Sequence, residues 1–199
     1  MSDIKLFDRW SFDDIDVKDS GLVDYINLTP LMVPKTGGRF AKHQFYKSKL
    51  NIVERLVNRL FVAGHKGRKH KFSSGHNVGH TFNVSGIVTD AFEIVETKTK
   101  KNPVEVLVRA IENSSPIEEV TTFRKGGMTT REAVVTSPQR RVDLALRHIT
   151  QGTYARSVKS KKSAAQCLAD ELILAFNNDM KSKAVSERQR REKEAHGAR

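Results

Sequence analysis

The sequence predicts a mainly α-helical fold, a bundle of about five to six helices with one protruding β-hairpin. Three observations carry that prediction. Apolar residues recur at helical spacing in several separate stretches. Two helices open on a capping residue followed by proline, at Asn102-Pro103 and Ser137-Pro138, where the first turn needs no backbone N–H from the proline. Between these two signals the period drops to two on both sides of Lys125-Gly126-Gly127, which marks a hairpin.

Taken in order, residues 1–34 read as a polar, partly extended acidic lead, with seven Asp against three Lys/Arg. The first helix is expected over 51–63, because Ile52, Val53, Leu56, Val57, Leu60 and Phe61 form a stripe and Gly64 stops it. Asn51 with Glu54 has the spacing of a capping box. A Gly/His/Lys loop covers 64–80, followed by a second helix over 82–97 built on Val84, Ile87, Val88, Ala91 and Val95. The third helix starts at Asn102-Pro103 and buries Val104, Val106, Leu107, Ala110 and Ile111. Strands over 117–124 and 128–136 form the hairpin. A fourth helix runs from Ser137-Pro138 through Val142, Ala145, Leu146 and Ile149 to a stop at Gly152, and the basic connector TYARSVKSKK follows. A fifth covers 163–176, with Leu168, Leu172, Ile173 and Phe176. Residues 180–199 are charged on all sides; without an apolar stripe they have no reason to pack on a core. The expected organisation is an acidic lead (1–34), a helical body (35–179) and a charged tail (180–199).

The net charge is +12 and the pI near 9.9, which calls for an anionic partner. The imbalance is concentrated. Residues 35–71 hold eleven Lys/Arg against one acid, Glu54, and residues 137–163 hold seven against Asp143 alone. The first run reads as an arm laid along a phosphate backbone. Its aromatics, Phe40, Phe45 and Tyr46, have two readings: stacking on unpaired bases or packing on the domain's flank. In the second, Arg140, Arg141 and Arg147 lie on the fourth helix and Arg156, Lys159, Lys161 and Lys162 follow it. The hairpin tip FRKGGMTTR adds Arg124, Lys125 and Arg131; Met128 is either a mobile exposed residue or a wedge against a base.

Signals for other chemistry fail one by one. A single Cys, Cys167, excludes a disulfide framework; it sits in the helical pattern CLADELIL and reads as a buried small hydrophobe. His43, His65, His70, His76 and His80 include an i,i+4 pair, but Gly75 and Gly79 oppose a helix there and no carboxylate or Cys is near, so no metal is expected. Asp170 and Glu171 are adjacent and point to different sides of their helix. No glycine is followed by lysine, which removes a P-loop, and H-E-x-x-H is absent. No catalytic residues and no cofactor are expected. The acidic opening lacks the apolar core of a signal peptide, and no run reaches membrane-spanning length. An architectural DNA-binding protein with a β-arm is the alternative to an RNA binder; it would require a dimer, for which no spare apolar face is evident.

The segments INLTPLMVPKTGGRFA (26–41), NIVERLVNRLF (51–61), DAFEIV (90–95), NPVEVLVRAIENSSPIEEV (102–120), SPQRRVDLALRHI (137–149) and CLADELI (167–173) resemble, in order, the small-subunit ribosomal protein seven family in its archaeal and eukaryotic form. The resemblance implies a helical domain with a hairpin, bound to the 3′ major (head) domain of small-subunit rRNA. It further implies nucleation of head assembly and a cytoplasmic ribosomal location, with neighbouring ribosomal proteins as partners and no membrane or homo-oligomer. Carried onto this chain, rRNA contacts fall on Lys35, Gly37, Gly38, Arg39, Lys42, Lys47 and Lys49, on Lys66, Arg68, Lys69 and Lys71, and on Arg140 and Arg141. Arg156, Lys159, Lys161 and Lys162 join them as the basic run beyond the fourth helix. A place near exit-site tRNA and mRNA falls on Arg124, Lys125, Gly126, Gly127, Met128 and Arg131.

Overall fold

The computed structural model describes residues 4–64 and 80–199. Lys66, Arg68, Lys69, Lys71, His65, His70 and His76 lie outside the described residues. Among the described residues, six α-helices and one hairpin follow in order: α1 (Ile52–Leu60), α2 (Thr81–Thr99), α3 (Pro103–Ser114), β1 (Glu118–Lys125), β2 (Met128–Val135), α4 (Pro138–Ser157), α5 (Ala164–Phe176) and α6 (Lys183–His196). This is the mainly α bundle with a β-hairpin that the sequence predicts. α5 is central and packs against α2, α3 and α4. Its Leu168 and Leu172 are fully buried with Phe92 and Val95 of α2, Leu107 and Ile111 of α3, and Val142 and Ile149 of α4. Among the described residues, no helix is long and apolar enough to cross a membrane.

Helix starts agree with the sequence better than helix ends do. Asn51 Oδ1 accepts from the N–H of Val53 (2.9 Å) and Asn102 Oδ1 from that of Val104 (3.0 Å). The capping box expected at Asn51 does not form. Glu54 instead turns to Thr36, accepting from its N–H (2.9 Å) and hydroxyl (2.7 Å), so a buried carboxylate takes two donors from the preceding turn. A capping box does form at the start of α5, between Ser163 and Gln166. At α4 the proline stands at the first helical position, but the Ser137 side chain makes no cap bond.

Gly152 was expected to stop α4, and it does not: the helix continues to Ser157 and absorbs the first half of the connector. The glycine serves packing. A Cβ there would lie 2.6 Å from the Glu171 carboxyl, so its absence lets α5 approach with its buried acid.

The two ends of the chain depart most from expectation. Residues 1–34 are not merely a polar lead: Leu6, Trp10, Phe12, Leu22 and Ile26 are buried in the core. The Trp10 ring meets Phe92 edge-on at 5.6 Å, and its Nε1–H donates to Glu96 (2.9 Å). Nor is the tail unpacked. α6 buries Ala184, Val185 and Ala195 against α3, α4 and the root of β1. Small residues pack without the broad stripe that larger side chains would need, and polar bonds do the rest. Buried Glu171 accepts from Arg156 Nε (2.8 Å), the Ser182 hydroxyl (2.9 Å) and the N–H of Ala184 (3.2 Å).

Candidate nucleic-acid interface

The hairpin is closed by Gly126 and Gly127, with φ of +56° and +83°. Two consecutive positive φ values make the tight turn that matches strand twist, and glycine adopts them without a Cβ penalty. The register pairs Glu118 with Val135 and Lys125 with Met128. A two-stranded ribbon is marginal alone; here its root is held from outside. Glu119 is clasped by Arg140 (2.5 and 2.9 Å) and Arg191 (3.4 Å), Glu118 pairs with Arg199, and the N–H of Ile117 donates to Glu192 (3.2 Å). Beyond that root Arg124, Arg131 and Met128 are exposed, Met128 by 75%.

The arm before α1 is not a simple extended strap. It folds into two short 3-10 turns, Arg39–Lys42 and Tyr46–Lys49, entered through Gly38 and Phe45 in left-handed conformations. Lys35, Gly37, Gly38, Arg39, Lys42, Lys47 and Lys49 are all exposed. A hollow of about 350 Å³ is lined by Lys35, Gly37, Gly38, Phe40, Lys47 and Asn58. The two readings of the aromatics divide by residue. Phe40 is partly buried against this hollow, whereas Phe45 is 66% exposed. Tyr46 carries the Lys49 ammonium 4.0 Å above its ring.

The candidate cations separate into two groups. Among the described residues, Lys35, Arg39, Lys42, Lys49, Lys159, Lys161, Arg124 and Arg131 form no ion pair. The others are matched. Lys47 pairs with Asp143, Arg140 with Glu119, Arg156 with Glu171 and Lys162 with Asp170 (2.7 Å). Arg141 is buried and pairs with Asp19 (2.5 Å), turned toward the N-terminal segment rather than outward. Hydrogen bonding to Glu119 raises the Arg140 pKa, so its charge is secure.

Sequence reasoning missed Arg59 on α1, which lies across a cleft from Arg147 of α4. Arg55 and Arg59 are four apart on one helix, and that i,i+4 spacing was the available signal.

The remaining titratable groups offer binding rather than bond-making. Burial pushes the Cys167 thiol up, away from the thiolate a nucleophile needs. His148 is buried and its pKa falls to about 4, first through burial and then through Arg191, with Arg147 and Lys183 adding to it against Glu187. His80, the described member of the loop set, is exposed. No group of three or more His, Cys, Asp or Glu among the described residues could hold a metal ion.

Comparison with known proteins supplies the remaining finding. Residues 25–199 match the family described as Ribosomal protein S7p/S5e, so the match extends through α6. The chain is 48% identical over 196 residues to the small ribosomal subunit protein uS7 of Nanoarchaeum equitans, covering 98% of this chain and 99% of that protein. It is 46% identical over 195 residues to the protein of the same name from Methanosphaera stadtmanae, covering 98% of each. With that of Methanococcus aeolicus it shares 46% over 198 residues, 99% of this chain and 100% of the other.

Proposed function

Because the chain belongs to the ribosomal protein S7p/S5e family, we propose that it binds the head-domain rRNA of the small ribosomal subunit and nucleates assembly of the head. It is a structural, non-enzymatic constituent of that subunit, with rRNA and ribosomal proteins as partners, and works in the cytoplasmic ribosome. Residues 35–179 form the RNA-binding domain in this proposal, with the two flanking segments packed onto it. The arm and the basic run at 159–161 neutralise phosphates, and the hairpin tip reaches toward exit-site tRNA and mRNA.

One observation carries the reading: Lys35, Arg39, Lys42 and Lys49 of the arm and Arg124 and Arg131 of the tip are exposed and form no ion pair among the described residues, while Lys47, Arg140, Arg141, Arg156 and Lys162 each have a carboxylate partner. A polyanion is what such a surface lacks. Arg141, held by Asp19, supports the RNA surface from below instead of touching it.

The test is a binding titration of the full chain on a head-domain rRNA transcript, with co-sedimentation on the small ribosomal particle. About six phosphate contacts predict an affinity loss near a thousandfold between low and physiological salt. Salt-independent binding, or equal affinity for duplex DNA in competition, would count against the proposal.

A further inference from the structure

The cleft between α1 and α4 holds an arrangement that the fold alone does not explain. It encloses about 280 Å³ and is lined by Lys47, Arg55, Asn58, Arg59, Asp143 and Arg147 among others. Four cations thus face one carboxylate. That carboxylate is already committed: Asp143 accepts from Arg55 (3.0 Å) and from Lys47. Arg55 is committed too, since its other nitrogen donates to the carbonyl of Tyr25 (2.9 Å).

Arg59 and Arg147 are left over. Neither forms an ion pair among the described residues, and each has a buried Nε with no hydrogen-bond partner. Exposed arginines avoid this by swinging the guanidinium into water. Here both residues are half-buried along the cleft, and each Nε is shielded from water. Burial lowers the Arg59 pKa and the nearby positive charge of Arg147 lowers it further, against a smaller opposing pull from Asp143. Two like charges held together beside unsatisfied donors destabilise a free protein and suit one that meets an anion.

We infer that Arg59 and Arg147 form a preorganised clamp for a backbone phosphate of RNA, with the Asn58 amide as a further donor. A guanidinium fork matches two phosphate oxygens at once, which an ammonium cannot do. The position favours RNA over a free anion. This cleft and the hollow beneath Gly37 and Gly38 share Lys47, Leu50 and Asn58, so a strand lying along the arm continues from one into the other. The clamp therefore rests on the rRNA-binding reading and extends it from the arm into the cleft between α1 and α4.

The experiment compares the full-length wild type with Arg59→Gln/Arg147→Gln on the same head-domain transcript across a salt series. The double variant should bind about ten- to a hundredfold more weakly at low salt, with a salt slope shallower by about one phosphate contact. Its thermal midpoint without RNA should be no lower than that of the wild type, because repulsion is relieved. Arg147→Lys should restore the slope while recovering only part of the affinity. Asn58→Asp changes an exposed residue and keeps the fold, so it tests the cleft even if the double variant folds poorly; it should weaken binding about tenfold. Wild-type binding with unchanged affinity and slope in these variants overturns the clamp alone. Failure of the wild type to bind the transcript overturns the ribosomal reading and the RNA clamp together.

Discussion

Cations at the root of the hairpin and at its tip are used in opposite ways. At the root, Arg140 and Arg191 share Glu119, and Arg199 meets Glu118, so each charge holds one element against another. At the tip, Arg124 and Arg131 stand exposed and form no ion pair among the described residues. The same division recurs elsewhere, with Arg55 and Arg141 matched inside and Lys35, Arg39 and Lys42 bare outside. A basic composition therefore does not mark a residue as a nucleic-acid contact. A carboxylate partner marks those cations that join one element of the fold to another.

The strongest way to break this division is at the buried hub. Glu171→Ala leaves Arg156 uncompensated and strips an acceptor from Ser182 and the N–H of Ala184. The expected loss is about 3–5 kcal/mol by urea unfolding, with α6 released first. A loss below 1 kcal/mol would show that the matched cations are not structural.

His148 sharpens the contrast through pH. Its folded pKa of about 4 lies below the ordinary 6.5, so the unfolded chain takes up a proton at a pH where the fold does not. Stability is then full above pH 6.5 and falls as the pH drops toward 4, by about 2–3 kcal/mol. His148→Phe should remove that part of the acid loss in melts taken across this window.

Arg141→Ala comes next, with about 1–2 kcal/mol of stability lost with the Asp19 pair. Affinity for rRNA should change while the salt slope stays that of the wild type, since no phosphate contact disappears. A shallower slope would move Arg141 from the inner group to the outer one.

The smallest effect on folding belongs to the tip. Arg124, Lys125 and Arg131 replaced together by Ala should shift stability by no more than about 0.5 kcal/mol. rRNA docking should be nearly intact, with the change appearing in exit-site or initiation fidelity in a translation assay. Loss of docking would mean that the tip anchors the protein.

What the sequence made legible was governed by local physics. Asn102-Pro103 and Gly126-Gly127 act through backbone geometry within a few residues, and the structure places both as expected. Gly152 was misread because its reason lies in another helix: the Glu171 carboxyl occupies the space a side chain would need. Leu6, Trp10 and Phe12 mix a spacing of four with one of two, so no single period runs through them to announce their burial. α6 escaped because Ala184, Val185 and Ala195 are too small and too few to write a stripe. For the candidate interface, charge runs singled out the arm and the tip but could not show that Asp19 and Glu171 would claim Arg141 and Arg156. The pairing of Arg59 with Arg147 depends on two helices far apart in the chain, which no single run reveals.

Trp10 is the only tryptophan of the chain, and it sits edge-on to Phe92 at the seam where the opening residues meet α2. The molecule thereby carries its own fluorophore at one defined joint. Its emission tracks the seating of the opening segment, whereas circular dichroism follows the helices, so the order in which the two come together can be timed without a label.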